Sequence, residues 1–187
     1  VAYNTDGDPV TAGDLECVGG MMVLLKDAIK PNLVQTLEGY PVFVHGFPFA
    51  NIAHGANSIM ATKFALKLAD YVVTEAGFAS DLGGEKFMDI VCRQADISPD
   101  CVVIVASSRA LMMHGGANLK DESTMTSENL KKGLENLDKH VENMKMYDIP
   151  IIVSINKFKT DTQEHIDIID ARCKELGIVC KVSEAFS

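Results

Sequence analysis

The chain has 187 residues, room for one domain, or for a tight pair of sub-domains, with a genuine core. Hydrophobic residues are 47% and charged residues 23%, a globular balance that excludes a disordered segment. Asp and Glu outnumber Lys and Arg by 26 to 17, and the net charge of -9 argues against a duplex nucleic-acid binder, which needs a basic face to displace counterions.

In chain order, the first dozen residues, with Asp6, Gly7, Asp8 and Pro9, predict a surface turn leading to a helix that Thr11 caps. Pro41–His45 reads as a strand, and 50–69 as a crossover helix. Tyr71–Thr74 is a second strand and 81–95 a second helix, followed by a third strand at Cys101–Ala106. From His114 to Ser127 no period is visible, and a loop of this length inside an α/β domain is usually functional. Leu134, Leu137, Val141 and Met144 follow at spacings of 3, 4 and 3, the apolar stripe of a helix. Ile149–Ile155 is a fourth strand. Ile166, Ile169, Cys173 and Leu176 repeat the helical stripe, with Thr162 or Asp161 to cap it and Gly177 to stop it. Ile178–Val182 is the last strand.

Several of these strands are apolar without alternation, as parallel strands covered on both faces are. Strands alternating with helices predict an α/β fold, a mainly parallel, Rossmann-like β-sheet with flanking crossover helices in βαβ units. No apolar run approaches the roughly 18 residues of a membrane span, and no signal-peptide pattern opens the chain. The five cysteines form no CxxC pair and read as buried thiols of a reducing cytosol. The histidines show no metal-ligand spacing, so no metal is expected on them.

In open parallel sheets, ligands sit beyond the carboxyl ends of the strands, and those ends are where chemistry-bearing residues gather. After the first strand come His45, Gly46, Pro48, Asn51 and His54, where Gly46 permits a tight turn, Pro48 suits a first helical turn, and the free N–H groups that follow can hold an anion. After the second come Glu75, Gly77, Phe78, Asp81, Glu85 and Lys86. There the Gly83–Gly84 pair weakens a helix start in a way that only a close contact justifies. After the third come Arg109, able to clamp a carboxylate or phosphate, and His114. After the fourth comes Phe158, a stacking platform for a planar ring if it is exposed. Structural readings compete at each place: a capped turn, a loop ion-pair network, an internally paired Arg, a core Phe. Neither GxGxxG nor GxxxxGK[ST] is present.

These segments closely resemble formate–tetrahydrofolate ligases. The matching stretches are 24–39, Phe43–Gly46 with Pro48–Gly55, Val73–Phe78, Glu85–Phe87, Arg109–Leu111 with His114–Gly116, and Asn156–Phe158 with Thr160–Thr162. The chain departs from the usual pattern at Phe47, Ala56, Ala79, Ser80, Gly84, Ser107, Ser108 and Met112, and at Phe186, where a Trp is frequent. In that family a Gly-Ala pair is typical at 79–80, and a β-branched aliphatic at 108. Members are longer, with an N-terminal part that carries a P-loop and a C-terminal part that runs on.

The resemblance thus implies the central fragment of a ligase that joins formate to tetrahydrofolate through formyl phosphate. Two sub-domains, about 1–147 and 148–187, are one division. It implies ATP with Mg, bound mainly by the missing part, and tetrahydrofolate as substrate. It also implies the missing domains and a homo-oligomer as partners, a cytoplasmic location and a role in one-carbon metabolism. Arg109, Glu75 and Lys86 are the catalytic candidates. Phe158, Phe186, Gly77, Phe78, Asp81, His45, Asn51, His54 and His114 are the substrate-binding ones, with Phe158 and Phe186 bracketing the pterin ring. The alternative is a non-catalytic remnant that binds folate or a partner.

Overall fold

The acidic turn near the start closes an antiparallel ribbon, Ala2–Tyr3 (β1) with Pro9–Val10 (β2), in the computed structural model, which describes residues 2–46 and 56–185. Asn4 Oδ1 accepts the N–H groups of Asp6 and Asp8 at 3.0 and 2.8 Å, and Gly7 takes the positive φ of 88° that the turn requires. Thr11 exchanges hydrogen bonds with Asp14 and so caps a single turn. The helix that follows, Val18–Leu25 (α1), begins at Cys17 with no side-chain cap, so the expected Thr11 cap serves a turn one step earlier.

The chain divides into two units, Val1–Ala50 with Asn57–Thr74, and Asn51–Ala56 with Glu75–Ser187. In the first, Asn32–Gln35 (β3) and Pro41–Val44 (β4) form an antiparallel hairpin with Leu33 opposite Phe43 and Val34 opposite Val42. The expected strand at 41–45 is therefore present, but its partner is antiparallel. Ile59–Ala65 (α2) starts at Ser58, whose side chain accepts from Ala61 N–H, and it packs by an edge-to-face contact of Phe43 and Phe64 at 5.5 Å. Residues 50–55 of the longer helix expected here lie outside the described residues. Tyr71–Thr74 is not a strand: Tyr71 and Val73 are more than nine-tenths exposed, and strand composition counts only where the side chains pack on a half-buried surface.

In the second unit, Ser80–Gly84 and Phe87–Cys92 are wide helical turns with π geometry. They end in Arg93–Ala95 (α3), stopped by a left-handed Asp96. Val102–Ala106 (β5), Ser108–His114 (α4), Ser127–Lys145 (α5), Ile151–Asn156 (β6), Gln163–Glu175 (α6) and Val179–Ser183 (β7) then alternate. The three strands are parallel in the order β5-β6-β7, with Val103 beside Ile152 and Ile155 beside Val182. This is the expected α/β class, a parallel, Rossmann-like sheet with flanking crossover helices. Thr162 caps α6 in a reciprocal box with His165, and Gly177 ends it at φ 71°.

The core lies between the helices and one face of this sheet. Leu130, Leu137 and Val141 of α5, Val153 and Ile155 of β6, and Ile169 and Cys173 of α6 are almost wholly buried. Truncating such a leucine to alanine costs about 2–5 kcal/mol. Val103 and Val105 on the other face of β5 are more than half exposed, so β5 is not covered on both faces as its unbroken apolar run suggested. Cys92 and Cys173 are buried free thiols, but Cys17 and Cys101 are exposed, against the expectation that all would be inside. No helix among the described residues is long and apolar enough to cross a membrane.

Candidate functional site at the carboxyl ends of the parallel strands

The helices α4 and α5 meet unusually closely, and that contact sets where Arg109 sits. A Cβ built on Gly133 of α5 would lie 1.7 Å from Leu111 O, and one on Gly115 would lie 1.8 Å from Asn129 O. Only glycine allows backbones so near. Ser107 caps α4, accepting from Ala110 N–H at 3.3 Å. One residue into that helix the Arg109 side chain is exposed and donates to Leu119 O at 3.3 Å. His114 is the exposed last residue of the same helix.

The segment from His114 to Ser127 is not featureless. Asn118 N–H donates to Thr124 Oγ1 at 2.8 Å, Asp121 Oδ1 accepts from Ser123, Glu122–Thr124 forms a 3-10 turn, and Asn129 Nδ2 holds Thr124 O at 2.8 Å. Its order comes from short-range polar bonds rather than from an apolar period, which is why periodicity did not register it.

Beyond β6, Phe158 is half-buried. Its N–H donates to Asp161 Oδ2 at 2.8 Å, and its carbonyl accepts from Asp161 N–H at 3.0 Å. The other carboxylate oxygen, Oδ1, accepts from the hydroxyl of Ser108, a residue that is 2% exposed at the start of α4. Lys157 Nζ reaches Glu184 at 2.6 Å and so joins the carboxyl ends of β6 and β7. The ammonium and its hydrogen bond hold the Glu184 carboxyl below its ordinary value. Arg109, Phe158 and the β7 end therefore belong to one sheet edge, which is where parallel sheets place ligands. Phe186 lies outside the described residues, as do Asn51 and His54.

Within the Glu75–Lys86 stretch, Ser80 and Asp81 pack on α5. Ser80 Oγ lies 2.6 Å from His140 Nδ1, Asn143 Nδ2 donates to Ser80 Oγ at 3.4 Å, and Asp81 stands 4.0 Å from His140. His140 is 11 residues beyond Asn129 on α5, about 16 Å along the axis at 1.5 Å per residue. The Ser80–Asp81 end of this stretch thus grips the far half of α5, while the 114–127 segment grips its start. The two glycines serve protein packing. A Cβ on Gly83 would fall 1.6 Å from Gly77 O, and one on Gly84 would press Met144 at 3.3 Å. Phe78 and Ala79, both non-glycine, hold φ of 64° and 67°.

His45, in the first unit, has both ring nitrogens engaged: Nε2–H donates to Ala28 O at 2.9 Å, and Nδ1 accepts from Ser58 at 2.7 Å. The carbonyl can only accept, which fixes this tautomer. Asn57 clasps the same strand end, donating to Phe43 O at 2.7 Å and accepting from His45 N–H at 3.0 Å. Among the described residues no three His, Cys, Asp or Glu side chains converge on one point. In the sequence Asp161 reads only as an alternative cap to Thr162. Its signal was the Phe158-x-x-Asp161 spacing of a turn closed by its own side chain.

The family model for formate–tetrahydrofolate ligase matches residues 1–187. A curated formate–tetrahydrofolate ligase of Petrotoga mobilis is 60% identical over 186 residues, which is 100% of this chain and 34% of that protein. The chain therefore spans about a third of the length of the relative it matches.

Proposed function

Because the chain belongs to the formate–tetrahydrofolate ligase family, we propose that it works as the central portion of an ATP-dependent ligase making 10-formyltetrahydrofolate in the cytoplasm, within one-carbon metabolism. The reaction runs in two steps. A formate oxygen attacks the terminal phosphorus of ATP, forming formyl phosphate and releasing ADP. The folate nitrogen then attacks the formyl carbon, phosphate leaves, and the nitrogen gives up a proton. Within this portion Phe158 offers its ring to the pterin, with Phe186 as the opposite face, and Arg109 offers a cation to an anionic reactant.

The observation that carries the reading is the edge itself: Arg109 and Phe158 follow neighbouring parallel strands and are tied to one another's turns through Ser108 and Asp161. Formyl and phosphoryl transfer draw most of their acceleration from preorganised charge around the phosphates. The sequence here holds no Gly-rich Lys-containing loop, so the isolated chain is expected to be inactive, with the remaining domains supplying the nucleotide site and any magnesium.

The test is Phe158→Ala in the full-length ligase carrying this segment. Tetrahydrofolate affinity should fall by about twofold to tenfold, as the loss of one stacking face implies, with ATP affinity nearly unchanged. Unchanged folate affinity removes Phe158 from the pterin site.

A further inference from the structure

Asp161 precedes the cap of α6, yet its carboxylate is not spent on that helix, because Thr162 supplies the cap and its reciprocal box. Instead each oxygen has a different task. Oδ2 accepts the Phe158 N–H at 2.8 Å, and the main-chain N–H of Asp161 returns a bond to Phe158 O at 3.0 Å, which closes a four-residue turn from both sides. Oδ1 accepts from Ser108, which is buried and directly precedes Arg109. One side chain thus joins the turn after β6 to the turn after β5. A carboxylate is the only side chain of this size with acceptor capacity for both donors and no donor of its own to place.

We propose that Asp161 is a positioning residue of the ligase. It fixes the orientation of Phe158 toward the pterin ring and locks that platform to the start of Arg109's helix through Ser108. The proposal rests on the reading of Phe158 given above. Bonds to an ionised acceptor are short and stiff, so the aromatic ring is held by its own backbone rather than by packing alone. Ser108 matters because its hydroxyl is the donor that ties Asp161 to the start of α4.

The experiment uses the full-length ligase carrying this segment, with steady-state kinetics in tetrahydrofolate. Asp161→Asn keeps the size but leaves one acceptor oxygen, so one of the two donors loses its partner. It should raise KM for tetrahydrofolate between about twofold and tenfold, the range set by one stacked ring, with kcat changed less than about twofold. In a Phe158→Ala background the same substitution should add almost nothing, because the group it positions is gone. Ser108→Ala, which leaves the Phe158 N–H bond intact, should have a smaller effect in the same direction. If Asp161→Asn does not fold, Ser108→Ala carries the same comparison with Phe158→Ala. Equal effects of Asp161→Asn with and without Phe158 would overturn the proposal, and so would a lowered unfolding midpoint with unchanged KM. If Phe158→Ala alone leaves KM unchanged, the platform reading fails first and the proposal with it. If Phe158→Ala raises KM and Asp161→Asn does not, the platform stands and only the positioning role is lost.

Discussion

Replacing Gly133 with alanine sets two effects of opposite sign against each other. In the interior of an exposed helix the change stabilises by about 0.8–1 kcal/mol, because alanine gives up less backbone entropy. At Gly133 the new Cβ would stand 1.7 Å from Leu111 O and 3.1 Å from Gly115 N, both backbone atoms that cannot swing aside. Ordinary contact begins near 3.4 Å, so α4 and α5 must part by about 1.7 Å along that line. Parting them loosens Leu111 and Met112 from the core they share with Leu130 and Leu137. Overpacking of this kind costs about 1–3 kcal/mol and sometimes more. With the main-chain clash at the upper end of that range, Gly133→Ala should destabilise by about 2 kcal/mol net. Urea unfolding followed by far-ultraviolet circular dichroism measures it. Gly19→Ala and Gly20→Ala in α1, where a Cβ meets nothing within 4 Å, are the controls and should each gain up to about 1 kcal/mol. A Gly133→Ala chain as stable as the parent would refute the close crossing, and with it the placement of Arg109.

Ala79 sits at φ 67° and ψ 177°, a region that is essentially glycine's, at a strain of about 1–3 kcal/mol. Ala79→Gly should therefore raise the urea midpoint by a net gain of about 1 kcal/mol after glycine's entropy cost, and a lowered midpoint would contradict the strain. Burial, and then the neighbouring Cys180, push the Cys173 thiol up to about 12. At pH 8 a disulfide reagent should label the exposed Cys17 and Cys101 quickly and Cys173 only after denaturation, whereas prompt labelling of Cys173 would show that this face of α6 is not packed into the core. The Glu184 carboxyl, held down by Lys157, should titrate below 4.5 in a carboxyl NMR experiment and return toward 4.5 in Lys157→Met. Since its folded value is the depressed one, the stabilisation is present above 4.5 and is lost as pH falls through the folded value.

What the sequence displayed follows from how far each interaction reaches along the chain. The stripe of Leu134, Leu137, Val141 and Met144 announces α5 because a helix buries one face at a fixed period. Thr162 and Gly177 mark the ends of α6 by local chemistry alone. The runs at 101–106, 149–155 and 178–182 become β5, β6 and β7. Short or borrowed order is harder to see. Asn32–Gln35 is four residues, half of them polar, and becomes a strand only because Pro41–Val44 folds back beside it across Gly39. Tyr71–Thr74 has strand composition, yet Tyr71 and Val73 stay exposed and no strand forms there. Of the site, Arg109 and Phe158 were legible as strand-end residues, since topology alone assigns them an edge. The meaning of Gly83 and Gly84 was not. Their close contacts are Gly77's backbone and Met144, and nothing in a sequence distinguishes a ligand's approach from that of the chain itself. Asp161 and Ser108 are 53 residues apart, and only the folded sheet brings them together.

The proposal that this chain acts as the central portion of a formate–tetrahydrofolate ligase, together with the rest of that enzyme, meets its sharpest trial in turnover. Its most direct test is the ATP- and formate-dependent formation of 10-formyltetrahydrofolate by two pure proteins, the 187-residue chain and the full-length ligase that carries it. Turnover is expected from the long protein and none from the short one. Turnover by the isolated chain, or a silent full-length protein, would contradict the proposal.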